Sequence, residues 1–178
     1  FAVKKLLLII SLICGLTVIS LGQTMNKLNT RAKMKSMYIS NFAKYTEWPA
    51  EYKQGEFVVG VVNDDALATM METMAKTKTI NGQKMVIKRF SSPSEITKCH
   101  LIYVAGKASG EVQPYVSKVS KFSCLIVTEG AGLIDNLSAI NFLTIAGPLK
   151  FEMNKKTFNN QELIVSTLLE NLATKVIK

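Results

Sequence analysis

The sequence predicts an α/β fold: a Rossmann-like, mainly parallel sheet flanked by helices, with a C-terminal β-hairpin and a closing helix. Three observations carry this prediction. Short apolar runs at Phe57–Val62, His100–Ala105 and Cys124–Thr128 are rich in β-branched residues and do not alternate, as expected of strands buried on both faces. Segments with apolar residues at helical spacing separate them. After the third run, two strand-like stretches flank Ala146-Gly147-Pro148, which is a hairpin signal. The order strand, helix, strand, helix, strand calls for right-handed crossovers and a parallel sheet covered on both sides.

The chain opens with Lys4-Lys5, an apolar run from Leu6 to Ile19, and the small residues Ser20 and Gly22 ahead of Gln23. A cationic start, an apolar stretch too short to span a bilayer comfortably and a small-residue cleavage site make residues 1–22 an expected secretory signal peptide, with an uncleaved anchor as the alternative. Export makes ATP- and nicotinamide-dependent chemistry poor assignments. Residues 23–178 then form one domain of 156 residues, enough for a hydrophobic core. Lys4 and Lys5 are the leader's only charged residues, which leaves 20 basic against 13 acidic residues and a net charge of +7. Such a surplus attracts anionic lipid, nucleic acid or an acidic protein face. The lysines are scattered, however, and Arg31 and Arg89 are the only arginines, so a solvated basic surface is expected and no nucleic-acid partner.

The first helix follows Asn29 or Thr30, either of which suits a cap. Met34, Met37, Tyr38, Asn41, Phe42 and Tyr45 recur at three- and four-residue steps and predict its buried face. Asn41, within that stripe, reads as a clamp to neighbouring backbone or as part of a site. Trp48-Pro49 ends the helix. Asn63 or Asp64 caps a second helix bearing Leu67, Met70, Met71 and Met74. Asn81-Gly82 predicts a turn before a more exposed strand, Met85–Phe90. Ser92-Pro93-Ser94-Glu95 has the form of a capping box. Ser109 caps a helix with Val112, Tyr115, Val116 and Val119 on one side. The last helix is expected to bury Leu163, Val165, Leu168, Leu169, Leu172 and Val176.

Catalytic chemistry is hard to assemble from these residues. His100 is the only histidine, and it falls on an expected buried strand. There is no nucleophile elbow. Gly130-Ala131-Gly132 imitates half a dinucleotide fingerprint, but a third glycine is missing and a strand follows. One histidine and two mature cysteines are too few for a zinc set. The reading is therefore a non-enzyme with no cofactor and no metal. Cys99 and Cys124 each begin an expected strand. If those strands are neighbours, the two form a disulfide provided their Cα atoms lie within about 7 Å, with buried thiols as the equal alternative. In open parallel sheets a ligand crevice lies at the carboxyl ends of the strands, here Asn63, Asp64, Asp65, Lys107, Ser109 and Glu129. Trp48-Pro49, preceded by Tyr45 and followed by Tyr52, makes an aromatic cluster at the end of the first helix, and Tyr38, Asn41, Tyr45, Trp48 and Pro49 are the candidate partner-binding residues. Packing of Trp48 beneath the sheet is the competing reading.

Several segments resemble a known family. Tyr38-Ile39-Ser40-Asn41-Phe42-Ala43-Lys44-Tyr45-Thr46-Glu47-Trp48-Pro49 is similar to the opening signature of the YfiR family, also called the DUF4154 domain. Ile80-Asn81-Gly82, Cys99-His100-Leu101-Ile102-Tyr103-Val104, Ala139-Ile140-Asn141-Phe142, Leu149-Lys150-Phe151-Glu152-Met153-Asn154 and Ser166-Thr167-Leu168-Leu169-Glu170-Asn171-Leu172-Ala173 resemble its later motifs, in the same order. The resemblance implies a periplasmic α/β domain that acts by binding. Its partner would be the periplasmic domain of an inner-membrane diguanylate cyclase or histidine kinase, whose activity it represses. A small-molecule ligand and a homodimer stay open, and an extracytoplasmic small-molecule binding module is the alternative function. The family's best-known repressor has two disulfides, whereas this chain has two cysteines after its leader.

Overall fold

The computed structural model describes residues 29–106, 108–143 and 147–178, so the expected leader lies outside the described residues. Five parallel strands form the body of the sheet: β2 (Phe57–Val62), β4 (Gln83–Phe90), β5 (Leu101–Ala105), β6 (Leu125–Glu129) and β7 (Ile140–Leu143). They lie in the order β4-β2-β5-β6-β7. The first strand of this set is thus internal, and the chain reverses direction across the sheet between β2 and β5. The full sheet has eight strands. The two-residue β3 (Thr79–Ile80) closes one edge. At the other, β8 (Lys150–Asn154) pairs antiparallel with β7, and β10 (Val176–Ile177) pairs parallel with β8. Very short edge strands of this kind leave little unpaired backbone to template aggregation.

The strands are apolar on both faces because both faces are covered. On one side Val59, Val61, Leu101, Leu125 and Val127 pack under the first helix, α1 (residues 29–44), and α2 (Asp65–Ala75), through Ile39, Phe42, Leu67 and Met71. On the other side Val62, Ile102, Val104 and Ile126 pack against Val112, Val116 and Val119 of α3 (Ser109–Val119). The Asn81-Gly82 turn joins β3 to β4 with both residues in the left-handed region, at φ 49° and 86°, which glycine and asparagine tolerate best. The capping-box segment makes a single 3₁₀ turn, Pro93–Glu95, with Glu95 Oε2 accepting from the Ser91 N–H. Ser109 is the first helical residue of α3, and Ala108 holds the cap position.

Two elements differ from the sequence expectation. The buried face of α1 is Ala32, Lys35, Ser36, Ile39, Ser40, Phe42 and Ala43, whereas Met34, Met37, Asn41 and Tyr45 are exposed. Asn41 is therefore not a buried clamp. The face that docks carries a lysine and two serines among its apolar residues, and the lysine finds its partners inside.

The closing segment is not one long helix. It divides into α4 (Lys155–Asn160), β9 (Ile164–Val165), α5 (Thr167–Glu170) and β10. Glu162 adopts φ 56° and ends α4. Ile164 and Val165 then pair antiparallel with β1 (Thr46–Glu47), forming a separate two-stranded ribbon. Ser166 caps α5 by accepting from Leu168 N–H. Tertiary pairing of β9 thus overrides the helical spacing of the leucines.

Candidate functional site

A buried ionic network holds α1 against the ends of the strands. Lys35, 6% exposed, donates from Nζ to Asp64 Oδ2 at 2.8 Å and to Tyr103 Oη at 2.9 Å, and pairs with Glu129. Tyr103, in the middle of β5, donates its hydroxyl to Glu129 Oε2 at 2.5 Å. Arg31, one turn before Lys35, reaches Glu129 Oε1 at 3.1 Å. Asp64 also caps α2, because its Oδ1 accepts from Leu67 N–H at 2.9 Å. Two cations thus face two carboxylates, and the low-dielectric setting makes each dependent on the others. Burial, reinforced by the adjacent Glu129 carboxylate, pushes the Tyr103 phenol far above its ordinary range, so it stays protonated as a donor. No nucleophile is freed by this arrangement. Its effect is to clamp α1 over β2, β5 and β6.

Beside the network, at the point where β2 and β5 diverge, lies an open crevice of about 670 Å³. Asn63 and Glu129 line it together with Gly106, Glu111 and Gly130. The strand-end loops approach each other closely, since a Cβ on Gly130 would lie 2.5 Å from the Gly106 carbonyl oxygen. Asn63 Nδ2 donates to Ala105 O at 3.3 Å across the divide. Of the residues named from sequence, Asn63, Asp64 and Glu129 are brought together here. Asp64 is committed to Lys35 and α2. Asp65 turns away to Arg89, whose Nη1 is 2.9 Å from its Oδ1 and whose remaining nitrogens grip Glu72. Ser109 is exposed at the start of α3, and Lys107 lies outside the described residues. Sequence reasoning missed Lys35, Arg31 and Tyr103. The available signal was a lysine at the centre of the alternative stripe formed by Ala32, Ile39, Phe42 and Ala43.

The aromatic cluster at the end of α1 separates into two groups. Trp48 is buried, donates from Nε1 to His100 O at 3.2 Å and meets Phe57 edge-to-face at 5.1 Å. Tyr38 is half-buried, with its hydroxyl on Leu149 O and its ring against Phe42, Phe142 and Phe151. Pro49 is half-buried. Tyr45 and Asn41 face solvent. Also exposed are Met37 at 54%, Tyr45 at 42%, Leu168 at 64% and Leu172 at 67%, which helical periodicity assigns to the core, and Ile164 at 67%. A groove bounded by Tyr45, Ile164 and Thr167 connects the helix to the ribbon and α5.

His100 is a core residue. Its Nε2 lies 2.9 Å from Tyr52 O, so that nitrogen carries the proton, and Nδ1 accepts from Val58 N–H at 3.1 Å. The ring stacks on Phe57 at 4.5 Å. Burial, aided by the charge of Lys98, lowers its pKa. A depressed histidine disfavours the protonated fold. Its contribution to stability is complete above the unfolded value of about 6.5 and is lost as the pH falls through the lower folded value. The melting temperature is expected to drop as the pH falls below about 6.5, and His100→Gln should flatten that dependence. An equal slope in both proteins would reassign it to the carboxylates.

Cys99 and Cys124 are both buried, are present as thiols, and bring their Sγ atoms to 3.5 Å. Burial, and the contact with Cys99, push the Cys124 thiol up, so neither geometry nor electrostatics makes it a nucleophile.

Comparison with curated proteins found no match. The family described as YfiR/HmsC-like, DUF4154, matches residues 32–174, which span the described domain from the buried face of α1 to the turn before β10. With that match covering most of its length, the chain belongs to the YfiR/HmsC-like DUF4154 family.

Proposed function

We propose that this domain docks on the outward-facing sensor portion of an inner-membrane signalling protein, a diguanylate cyclase or a histidine kinase, and represses it. The family supports a periplasmic regulatory role and is not known as an enzyme family. Among the described residues no helix is long and apolar enough to cross a membrane. The observation that carries the docking reading is the set of exposed apolar side chains Met37, Tyr45, Ile164, Leu168 and Leu172, of which Tyr45 and Ile164 bound one groove. Scattered exposed leucines need no explanation, but large apolar side chains exposed around a common groove favour an interaction surface. Repression requires that the domain bind the inactive state of its partner more tightly than the active one.

The test is recovery of a membrane cyclase or kinase from solubilised membranes with the mature chain. A paired variant, Tyr45→Asp with Leu168→Asp, should lose the partner while keeping its melting temperature. Undiminished recovery by that variant would remove this surface from the interface.

The 3.5 Å contact between Cys99 and Cys124 supports a disulfide formed during folding, before both sulfurs are buried. An extracytoplasmic disulfide oxidant would then take two electrons and two protons from the pair and leave one S–S bond. Protein taken from an oxidising compartment, denatured without reductant and alkylated, is then expected to gain no adduct at either cysteine. Two adducts without reductant would show that the thiols persist.

A further inference from the structure

β4 has an open edge. On its inner side it pairs with β2 along Met85–Phe90, whereas on its outer side β3 pairs only with Gln83 and Lys84. Beyond Lys84 no strand among the described residues lies outside β4. The register shows which main-chain groups point outward. Val58 directs its own toward β5, where its carbonyl accepts from His100 N–H at 2.9 Å and its N–H donates to His100 Nδ1 at 3.1 Å. Direction alternates along a strand, so Val59 and Val61 bond toward β4 and take up main-chain groups of Val86, Lys88 and Phe90. The N–H and C=O of Ile87 and Arg89 are left on the outer edge. Met85 is buried, but Ile87 is half-buried and Arg89 exposed, so an added strand can reach the edge from Val86 onward. Such an edge is a template for one more strand.

The side chains decide what that strand must carry. Lys84, Val86 and Lys88 alternate onto the α3 side of the sheet, with Phe90. Val86 lies beside Val58 in register, and both are half-buried. Lys88 donates to Thr97 Oγ1 at 3.1 Å and has no carboxylate partner among the described residues. Lys84 has Glu56 at 3.9 Å, a contact between two exposed side chains that contributes little. On the α2 side Ile87 packs against the core, and Arg89 is already held by Asp65 and Glu72, so that side calls for uncharged residues. A second copy of this chain would bring its own lysines to the edge, and like charges across strands are destabilising.

We propose that the outer edge of β4 accepts, by strand addition, an extended segment of another protein in which acidic residues alternate with β-branched ones. Its main chain bonds to Ile87 and Arg89, its acidic side chains pair with Lys84 and Lys88, and its apolar residues cover Ile87. The site shares no residue with the groove at Tyr45 and Ile164, so the two surfaces stand or fall separately.

The isotope-labelled mature protein is titrated with the capped heptapeptide Thr-Glu-Val-Glu-Val-Glu-Thr and followed by the NMR signals of its backbone amides. Two comparison peptides carry lysine at each glutamate position, or a methyl group on every backbone nitrogen. Saturable shifts centred on Val86–Arg89 are expected, with amide exchange at Ile87 and Arg89 slowed roughly tenfold at saturation. The lysine peptide should bind about tenfold more weakly. The methylated peptide should not bind, because it keeps every charge and loses every main-chain donor. The surface pair Lys84→Glu with Lys88→Glu should reverse the preference between the acidic and lysine peptides. Shifts centred elsewhere, or a comparison peptide that binds as well as the acidic one, would overturn the proposal. Absence of a saturable shift would overturn it too, and would leave Lys84 and Lys88 the sole role of keeping the edge unpaired. These comparisons in the unmodified protein stand even if the variant fails to fold.

Discussion

Replacing Lys35 with methionine is expected to remove about 3 kcal/mol of stability, although methionine matches the lysine stem in length and apolar character. The cost comes from what stays behind. Asp64 and Glu129 have side chains only 16% and 13% exposed, and each loses its principal cation. Two carboxylates close to one phenol then repel each other with little water to screen them. Arg31 relieves Glu129 in part through its 3.1 Å contact, which places the effect at the lower end of the range for broken buried pairs. The measurement is the urea midpoint with a fixed m-value. A triple variant, Lys35→Met with Asp64→Asn and Glu129→Gln, removes the charges together and is expected to recover most of the loss. Asparagine at 64 also keeps the cap on α2. A single variant within about 0.5 kcal/mol of the parent would show that the network contributes nothing to holding α1.

Trp48→Ala is expected to cost about 3–5 kcal/mol, the range for removing a large buried aromatic side chain. Its ring fills the space beside Phe57 and His100, and its indole N–H satisfies the His100 carbonyl. The truncation leaves a void, while the His100 carbonyl keeps its bond from Leu125 N–H at 2.8 Å. For a chain of this size a loss of that magnitude lowers the melting temperature by roughly 10 °C. Trp48→Phe should lie between the two, since it restores volume but not the donor. Partner binding per folded molecule should be unchanged, because Trp48 is 6% exposed and packs on Phe57 and His100. Loss of binding at full stability would move Trp48 into the interface.

The central strands were legible because burial on both faces demands continuous apolar runs, and Phe57–Val62 and Leu101–Ala105 have nothing else. The cap at Asp64, the turn at Asn81-Gly82 and the apolar side of α3 were legible for equally local reasons. The orientation of α1 was not. Of the predicted stripe Phe42 and Tyr38 do pack inward, but Met34, Met37, Asn41 and Tyr45 face out, and the buried face is instead centred near Lys35, which finds Asp64, Tyr103 and Glu129 inside. Those partners are scattered along the sequence and meet only where strand ends converge. The same limit applies to the closing segment. Leu168 and Leu172 have helical spacing, yet Ile164 and Val165 are drawn into a ribbon with Thr46 and Glu47, and the leucines are left in solvent.

The amino-acid order alone established the layered α/β architecture and the family resemblance, since each follows from residues close together in the chain. Tertiary structure decided which side of α1 faces inward and which leucines are exposed. Each of these depends on contacts between residues distant in sequence, and periodicity has no access to the partner a side chain will meet.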